Sequence, residues 1–416
     1  MIACGLDFGT SNSAIGVASG NGLALAPLEN GKTLMPSAVF FDYEHRGRAV
    51  FGSEAIAAYV GQAEGRLMRA LKTILGSPLM AEKTNVGGRM VPLTEVVGVF
   101  VRHLKAKAEV FAGAEIMSVV HGRPVRFVDG DDEADARAEG VLREVATTAG
   151  FRDIVFVPEP IAAAYDYERT VDNEELVLVA DIGGGTSDFS VIRIGPDRSR
   201  RAERSDDILA TAGVRIGGTD FDTDLSLDAA MPLLGLGTRL VDKDLPMPRA
   251  LFHELATWAT INFAYTYKNE RDVAELSAEA VEPEKVERLL TLLRKRLGHR
   301  LAFAIEDAKI GLSATDRAAV DMAFLEPGLA ATTTRPAFEQ SVHVRTERLH
   351  QAARGCIAAA GLKNESIDTI FFTGGSSLVP AVRATIARAA PAARPATGSD
   401  FESVAMGLTH IAGLRR

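Results

Sequence analysis

Residues 177–193 read Val-Leu-Val-Ala-Asp-Ile-Gly-Gly-Gly-Thr-Ser-Asp-Phe-Ser-Val-Ile-Arg. An apolar run ends in Asp181, then come Gly183, Gly184, Gly185, Thr186, Ser187 and Asp188, and a second apolar run begins. Such a pattern predicts a buried strand, a tight turn and a returning strand. Three glycines let backbone N–H groups approach a ligand with no Cβ in the way, and such a turn can form a concave nest for an anion. Asp181 and Asp188 suit a hard cation beside that anion. On this stretch alone, a glycine-rich hairpin with turn-capping aspartates explains the residues equally well. A second copy decides between the two. Near the N-terminus an apolar strand reaches Asp7, then Gly9, Thr10, Ser11 and Asn12, and apolar residues resume at Ala14. Two strand–Asp–Gly–Thr/Ser hairpins far apart in one chain predict two related lobes, each presenting a turn to one polyphosphate. No P-loop signature occurs in the chain.

The remaining signals qualify this picture. A net charge of −9 and a pI near 5.5 leave no basic domain, which excludes nucleic acid as the expected partner. The short basic runs Arg198–Arg204 and Arg294–Arg300 read as solvated loop or helix faces. Cys4 and Cys356 lie far apart in apolar contexts and read as buried small hydrophobes. No run of 18 apolar residues is present, so no membrane span is expected. Met1 leads straight into a strand, which predicts no cleaved signal peptide and a reducing, cytoplasmic location. Apolar residues at Leu67, Leu71, Ile74 and Leu75 predict a helix over Gly65–Gly76, with Lys72 on another side of it. The acidic cluster Asp129–Glu133 reads as a helix N-terminal cap. Pro160 suits a helix first turn, which sets Glu159 at a strand-to-helix junction.

Taken in order, these motifs resemble the actin-like ATPase superfamily, and most closely the nucleotide-binding domain of the Hsp70 (DnaK-type) chaperones. The carriers are Gly5-Leu-Asp-Phe-Gly-Thr-Ser-Asn-Ser13, Lys72-Thr-Ile-Leu-Gly76, Glu159-Pro-Ile-Ala-Ala-Ala164, Asp181-Ile-Gly-Gly-Gly-Thr-Ser-Asp188, Gly217-Gly-Thr-Asp-Phe-Asp222 and Thr373-Gly-Gly-Ser-Ser377. The resemblance runs almost end to end. It implies an α/β actin-like ATPase fold, with ribonuclease H-like duplicated lobes, two smaller inserted subdomains and a central nucleotide cleft. Lobe I would be residues 1–171, with an insertion at 39–111. Lobe II would be 172–416, with an insertion at 228–334, and the terminal helix could return to lobe I. Residues 228–300 exceed what the family pattern needs before its adenosine-binding helix at Leu301–Ser313.

The resemblance also implies roles. Gly9, Thr10, Ser11, Asn12, Gly183, Gly184, Gly185 and Thr186 would hold phosphates, with Gly217, Gly218 and Asp220 beside them. Asp7, Asp181 and Glu159 would hold Mg²⁺ through its waters. Lys72, Glu159, Asp181, Thr186 and Asp188 would serve hydrolysis, Lys72 and Asp188 by orienting the attacking water. Glu306, Lys309 and Ser313, with Gly374, Gly375 and Ser376, would hold the nucleoside of ATP or ADP. Ile310 and Leu378 stand where the family carries arginines against the adenine, and Phe401 where it carries an aspartate. The family's full chaperones continue into a peptide-binding region that this sequence does not contain, so the resemblance implies a stand-alone, YegD-type module. A client protein or co-chaperone is the implied macromolecular partner. A filament-forming actin-like protein and a sugar- or acetate-type kinase are the alternatives that share the fold.

Overall fold

The computed structural model describes residues 2–20, 22–128, 130–198, 204–241, 245–398 and 402–415. The Phe401 and Asp129 expectations lie outside them. The chain divides into two compact units. The first comprises Met1–Gly217, Glu347–Leu378 and Val382–Arg416; the second comprises Gly218–Thr346 with Val379–Ala381.

The first unit holds two sheets of the same design. In one, strand Ala3–Phe8 pairs antiparallel with Asn12–Ser19, which pairs antiparallel with Gly22–Leu25; on its other side it runs parallel to Ser118–Arg123, and that strand runs parallel to Asp153–Pro158. In the other, Glu175–Ile182 pairs antiparallel with Ser187–Ile194 and, beyond it, Ile208–Val214, and runs parallel to Thr369–Thr373 and then Arg394–Thr397. The parallel neighbours need crossovers, and helices supply them: Leu93–Ala112 and Asp132–Thr148 for the first sheet, His343–Ala359 and Pro380–Ala387 for the second. The repeated hairpins of the sequence are thus the central and second strands of two repeated sheets.

The two closing helices are exchanged. Glu159–Glu168 follows the first sheet in the chain but packs on strands Glu175–Ile182 and Ser187–Ile194, whereas the terminal helix Ser403–Leu414 packs on Ala3–Phe8 and Asn12–Ser19. The helices also pack on each other, and Ala162, Ala163, Ala164, Val177, Val179, Val404, Leu408 and Ala412 form one apolar core with them. Their backbones come very close. A Cβ on Gly407 would lie 1.8 Å from the carbonyl oxygen of Ala162, and one on Gly5 would lie 2.2 Å from the amide nitrogen of Thr409. Only glycine fits at such an approach.

Two expectations are corrected here. Gly65–Gly76 is not a helix. Gly65–Arg69 is a strand paired antiparallel with Ala38–Asp42, and Leu71–Ile74 is a single 3₁₀ turn. Pairing with a partner that is distant in sequence buries Leu67 and Met68 together, and a short apolar run leaves helix and strand undecided until such a partner is present. Ala70 then takes a left-handed conformation, φ 56°, between strand and turn. Lys72, on this turn, is buried, 6% exposed. Arg198 and Arg204 are not solvated either. Arg198 pairs with Glu174 and Asp207, and Arg204 pairs with Glu168 and Asp207. Glu168 and Asp207 are buried carboxylates, which require a paired cation. Residues 199–203 lie outside the described set. The Asp131 side chain caps helix Asp132–Thr148, accepting from the Ala134 amide at 2.9 Å. Cys4 and Cys356 are buried and free. Among the described residues, no helix is long and apolar enough to cross a membrane.

The second unit is mainly helical. Helices Gly218–Leu225, Ala250–Ala256, Tyr267–Glu279, Pro283–Arg294, Gly298–Ala314 and Arg335–Ser341 accompany one hairpin, Arg317–Asp321 with Ala330–Thr334.

Candidate functional site

Every strand-end turn of the first unit's two sheets that carries a motif converges on one place. Asp7 is the penultimate residue of its strand, half-buried, and Gly9–Ser11 forms the turn into Asn12–Ser19, where Asn12 is the first residue. The Gly9 carbonyl accepts from Ser37 Oγ at 2.7 Å, which fixes this turn from outside. Across from it, the Gly183 amide donates to the Thr186 carbonyl at 2.9 Å, closing the second turn. A Cβ on Gly184 would lie 2.5 Å from Ser11 Oγ and 3.0 Å from Thr10 Cβ; one on Gly185 would lie 2.9 Å from Thr10 Oγ1 and from Thr73 Cγ2. The two turns therefore face each other, with the Lys72 turn at their side. A Cβ on Gly217 would lie 2.4 Å from the Gly185 amide nitrogen, so the end of the Ile208–Val214 segment adds a third backbone there. The fourth is the Gly374 turn, φ 78°, whose Ser376 Oγ donates to the Gly183 carbonyl at 2.9 Å. Leu378 ends this turn with 38% of its surface exposed.

Five charged side chains occupy the floor. Lys72 Nζ lies 2.5 Å from Glu159 Oε1, and both are buried. Asp181 and Asp188 are buried and directly opposite each other across the hairpin, an arrangement of like charges that is unfavourable without a cation. Asp188 Oδ1 accepts from the Val125 amide at 2.6 Å, and the Thr186 hydroxyl also bonds its carboxylate. Burial first, then the Glu159 charge, pushes Asp7 and Asp181 well above the ordinary carboxylate range, Lys72 only partly offsetting it. The same causes push Asp188 up to about 7. Burial opposes the charge on Lys72, yet Glu159, Asp7 and Asp188 outweigh it and raise its pKa. Four carboxyl groups surround one ammonium, so the cluster presents hard oxygen donors. That donor set fits a divalent cation such as Mg²⁺.

Sequence reasoning missed the group that fixes the Lys72 turn. Arg215 donates to the Thr73 carbonyl at 2.6 Å and to the Gly76 carbonyl at 3.2 Å. The only local signal was an arginine in the otherwise small and apolar approach to Gly217.

The remaining predicted residues belong to the second unit. Glu306, Lys309, Ile310 and Ser313 lie along helix Gly298–Ala314. Lys309 is buried, and its Nζ lies 2.7 Å from Asp222 Oδ1 and 3.2 Å from the Gly218 carbonyl it donates to. Ile310 is 59% exposed. Asp220, expected beside phosphates, pairs with Arg345 at 3.1 Å, and Arg345 also holds Asp224. Asp222 was overlooked as the partner of Lys309.

A family model described as Hsp70 protein matches residues 3–229 and 281–416. The match passes over residues 230–280, which lie within the stretch expected to exceed the family pattern. It takes in both glycine turns, the lysine turn, the Glu159 junction and the helix of Lys309. The duplicated sheets with exchanged closing helices, the facing turns and this match together establish that the chain belongs to the Hsp70 family, with an actin-like ATPase fold and an Hsp70-type ATP-binding domain.

Proposed function

We propose that this chain is a Mg²⁺-dependent ATPase that acts as a nucleotide-controlled, chaperone-type switch, with hydrolysis centred on Lys72. The observation that carries the reading is the buried Lys72–Glu159 pair, 2.5 Å apart, set among Asp7, Asp181 and Asp188 at the foot of two facing glycine turns. Phosphoryl transfer asks a protein for positioning and charge neutralisation more than for covalent chemistry. The Gly183–Thr186 turn and the hydroxyls of Thr10 and Ser11 would hold phosphate oxygens, as would the Gly9 and Gly374 turns. Asp7, Asp181 and Glu159 would hold Mg²⁺ with its water shell. When bound, the ion supplies the positive charge that the phosphates and these carboxylates require. Lys72 adds a fixed cation at the γ-phosphate, and Glu159 keeps its ammonium from swinging away. Asp188 accepts a hydrogen bond from the attacking water and holds it in line. The Val125 amide and the Thr186 hydroxyl fix that carboxylate from behind. Lys309 and Glu306 would bind the ribose hydroxyls.

Turnover should be slow, as suits a switch rather than a metabolic enzyme. The test is single-turnover hydrolysis with Mg²⁺ and with EDTA, in the natural protein and in Asp181→Ala. Hydrolysis should require Mg²⁺ and should need markedly more of it in the variant. Equal rates with and without Mg²⁺ would sink the proposal.

A further inference from the structure

The chain has one tryptophan, Trp258, and it lies in the 230–280 segment that the family match passes over. It sits in the turn after helix Ala250–Ala256 and is 3% exposed. Its indole edge packs against Phe303 with ring centroids 5.1 Å apart. Its Nε1–H donates to Asp222 Oδ2 at 3.1 Å. The other oxygen of the same carboxylate, Oδ1, lies 2.7 Å from Lys309 Nζ. Thr223 joins the two segments again by donating to the Ala256 carbonyl at 3.1 Å.

An ammonium has three donors and no preferred direction of its own. Here the Gly218 carbonyl accepts from one of them and the Asp222 carboxylate holds the ammonium as an ion pair 2.7 Å away, which together restrict where the ammonium sits. Asp222 is 2% exposed, so its orientation is set by its hydrogen bonds and not by solvent. Without the indole N–H, Oδ2 would be left a buried acceptor lacking that donor, and the carboxylate would be free to turn and draw Lys309 with it.

We propose that Trp258 is a positioning residue for nucleotide binding: through Asp222 it aims the Lys309 ammonium at the ribose, so that residues 230–280 govern the grip on the nucleoside. This rests on the reading that Lys309 meets the ribose hydroxyls. It gives the extra segment a role within the nucleotide site itself. It also makes the single tryptophan a native reporter of that site.

The test compares calorimetric affinities for ADP and 2′,3′-dideoxy-ADP in three proteins. The natural protein should prefer ADP by at least about tenfold, the scale of one or two well-placed hydrogen bonds. Lys309→Met should bring the preference below about twofold. Trp258→Phe keeps an aromatic ring beside Phe303 and loses the N–H together with part of the indole's bulk. It should bind ADP at least about fivefold more weakly, with dideoxy-ADP affinity unchanged within about twofold, a pattern that a general loosening of the fold would not produce. A Trp258→Phe protein with the natural preference, beside a Lys309→Met protein that has lost it, overturns the relay alone. A Lys309→Met protein that keeps the preference overturns the ribose reading and the relay with it. Should Trp258→Phe not fold, tryptophan emission of the natural protein decides. Saturating ADP should change it, and the change should vanish in Lys309→Met with ADP binding confirmed calorimetrically. An unchanged emission in the natural protein, or the same change in Lys309→Met, refutes the proposal.

Discussion

Removing Lys72 should destabilise the nucleotide-free protein far more than removing its partner. Lys72 and Glu159 are both buried and 2.5 Å apart, and Asp7, Asp181 and Asp188 share their surroundings. Lys72→Met leaves four carboxylates with no cation among them. Breaking a buried pair from one side costs about 3–5 kcal/mol. Here part of that is relieved, because burial and the Glu159 charge already raise the pKa values of Asp7, Asp181 and Asp188 and so ease their protonation, and about 3 kcal/mol is the expected loss near neutral pH. Glu159→Gln acts differently. It leaves Lys72 with Asp7 and Asp188, and it removes the charge that raises all three aspartates. Its cost should be under about 1 kcal/mol. The double variant should then be more stable than Lys72→Met alone by at least about 1 kcal/mol, a coupling within the range for contacting residues. Urea denaturation in EDTA without nucleotide measures all four proteins. Lys72→Met within about 0.5 kcal/mol of the natural protein, the effect of an ordinary surface lysine, would refute the reasoning, as would strict additivity in the double variant.

Gly407→Ala should cost about 3 kcal/mol, because its Cβ would meet the Ala162 carbonyl at 1.8 Å and neither backbone can yield without opening the helix pair; thermal denaturation would show it, and a loss under about 0.5 kcal/mol would remove the close approach from the account. His121 is fully buried, and burial, beyond any help from the Gly122 carbonyl, lowers its pKa from 6.5 to about 4. A histidine kept neutral by folding contributes stability that is intact above pH 6.5 and lost as pH falls toward 4; His121→Leu should flatten that fall by up to about 3 kcal/mol. An unchanged pH dependence in urea titrations would show that the imidazole is not held neutral. On the proposed function, nucleotide binding should be weakly selective for adenine, Ile310 and Leu378 standing where the resemblance implies arginines. Ile310→Arg with Leu378→Arg should strengthen ATP over GTP by several-fold, an effect of about 0.5–2 kcal/mol per stacked cation, and calorimetry showing tight, adenine-selective binding that the double variant does not improve would refute the reading.

What the chain disclosed before any coordinates was local. A strand, a glycine turn and a returning strand are contiguous in sequence, so both glycine hairpins and the Gly374 turn were legible, as was the helix opening at Glu159. Their duplication was legible because the same residue order occurs twice. Features set by distant partners were not. The strand at Gly65–Arg69 depends on Ala38–Asp42, and apolar spacing alone suggested a helix. Arg198 and Arg204 looked solvated because Glu168, Glu174 and Asp207 reach them only in the folded chain. Gly5 and Gly407 gave no sign of the exchanged helices, since nothing in either neighbourhood names Thr409 or Ala162 as the backbone it must admit. Lys309 was visible as a candidate nucleotide residue only through the family resemblance. Its partner Asp222 and the indole behind it come from 87 and 51 positions earlier in the chain, counted from their residue numbers, and the indole belongs to a segment that the family match does not cover.

The most direct test of the central claim is single-turnover ATP hydrolysis by Lys72→Ala at saturating Mg²⁺, measured beside its ADP affinity. The account predicts a rate at least ~10²-fold lower, or about 2.7 kcal/mol of lost transition-state stabilisation, with ADP bound within a few-fold of the natural protein. Hydrolysis at the natural rate by a folded, ADP-binding Lys72→Ala protein would contradict it.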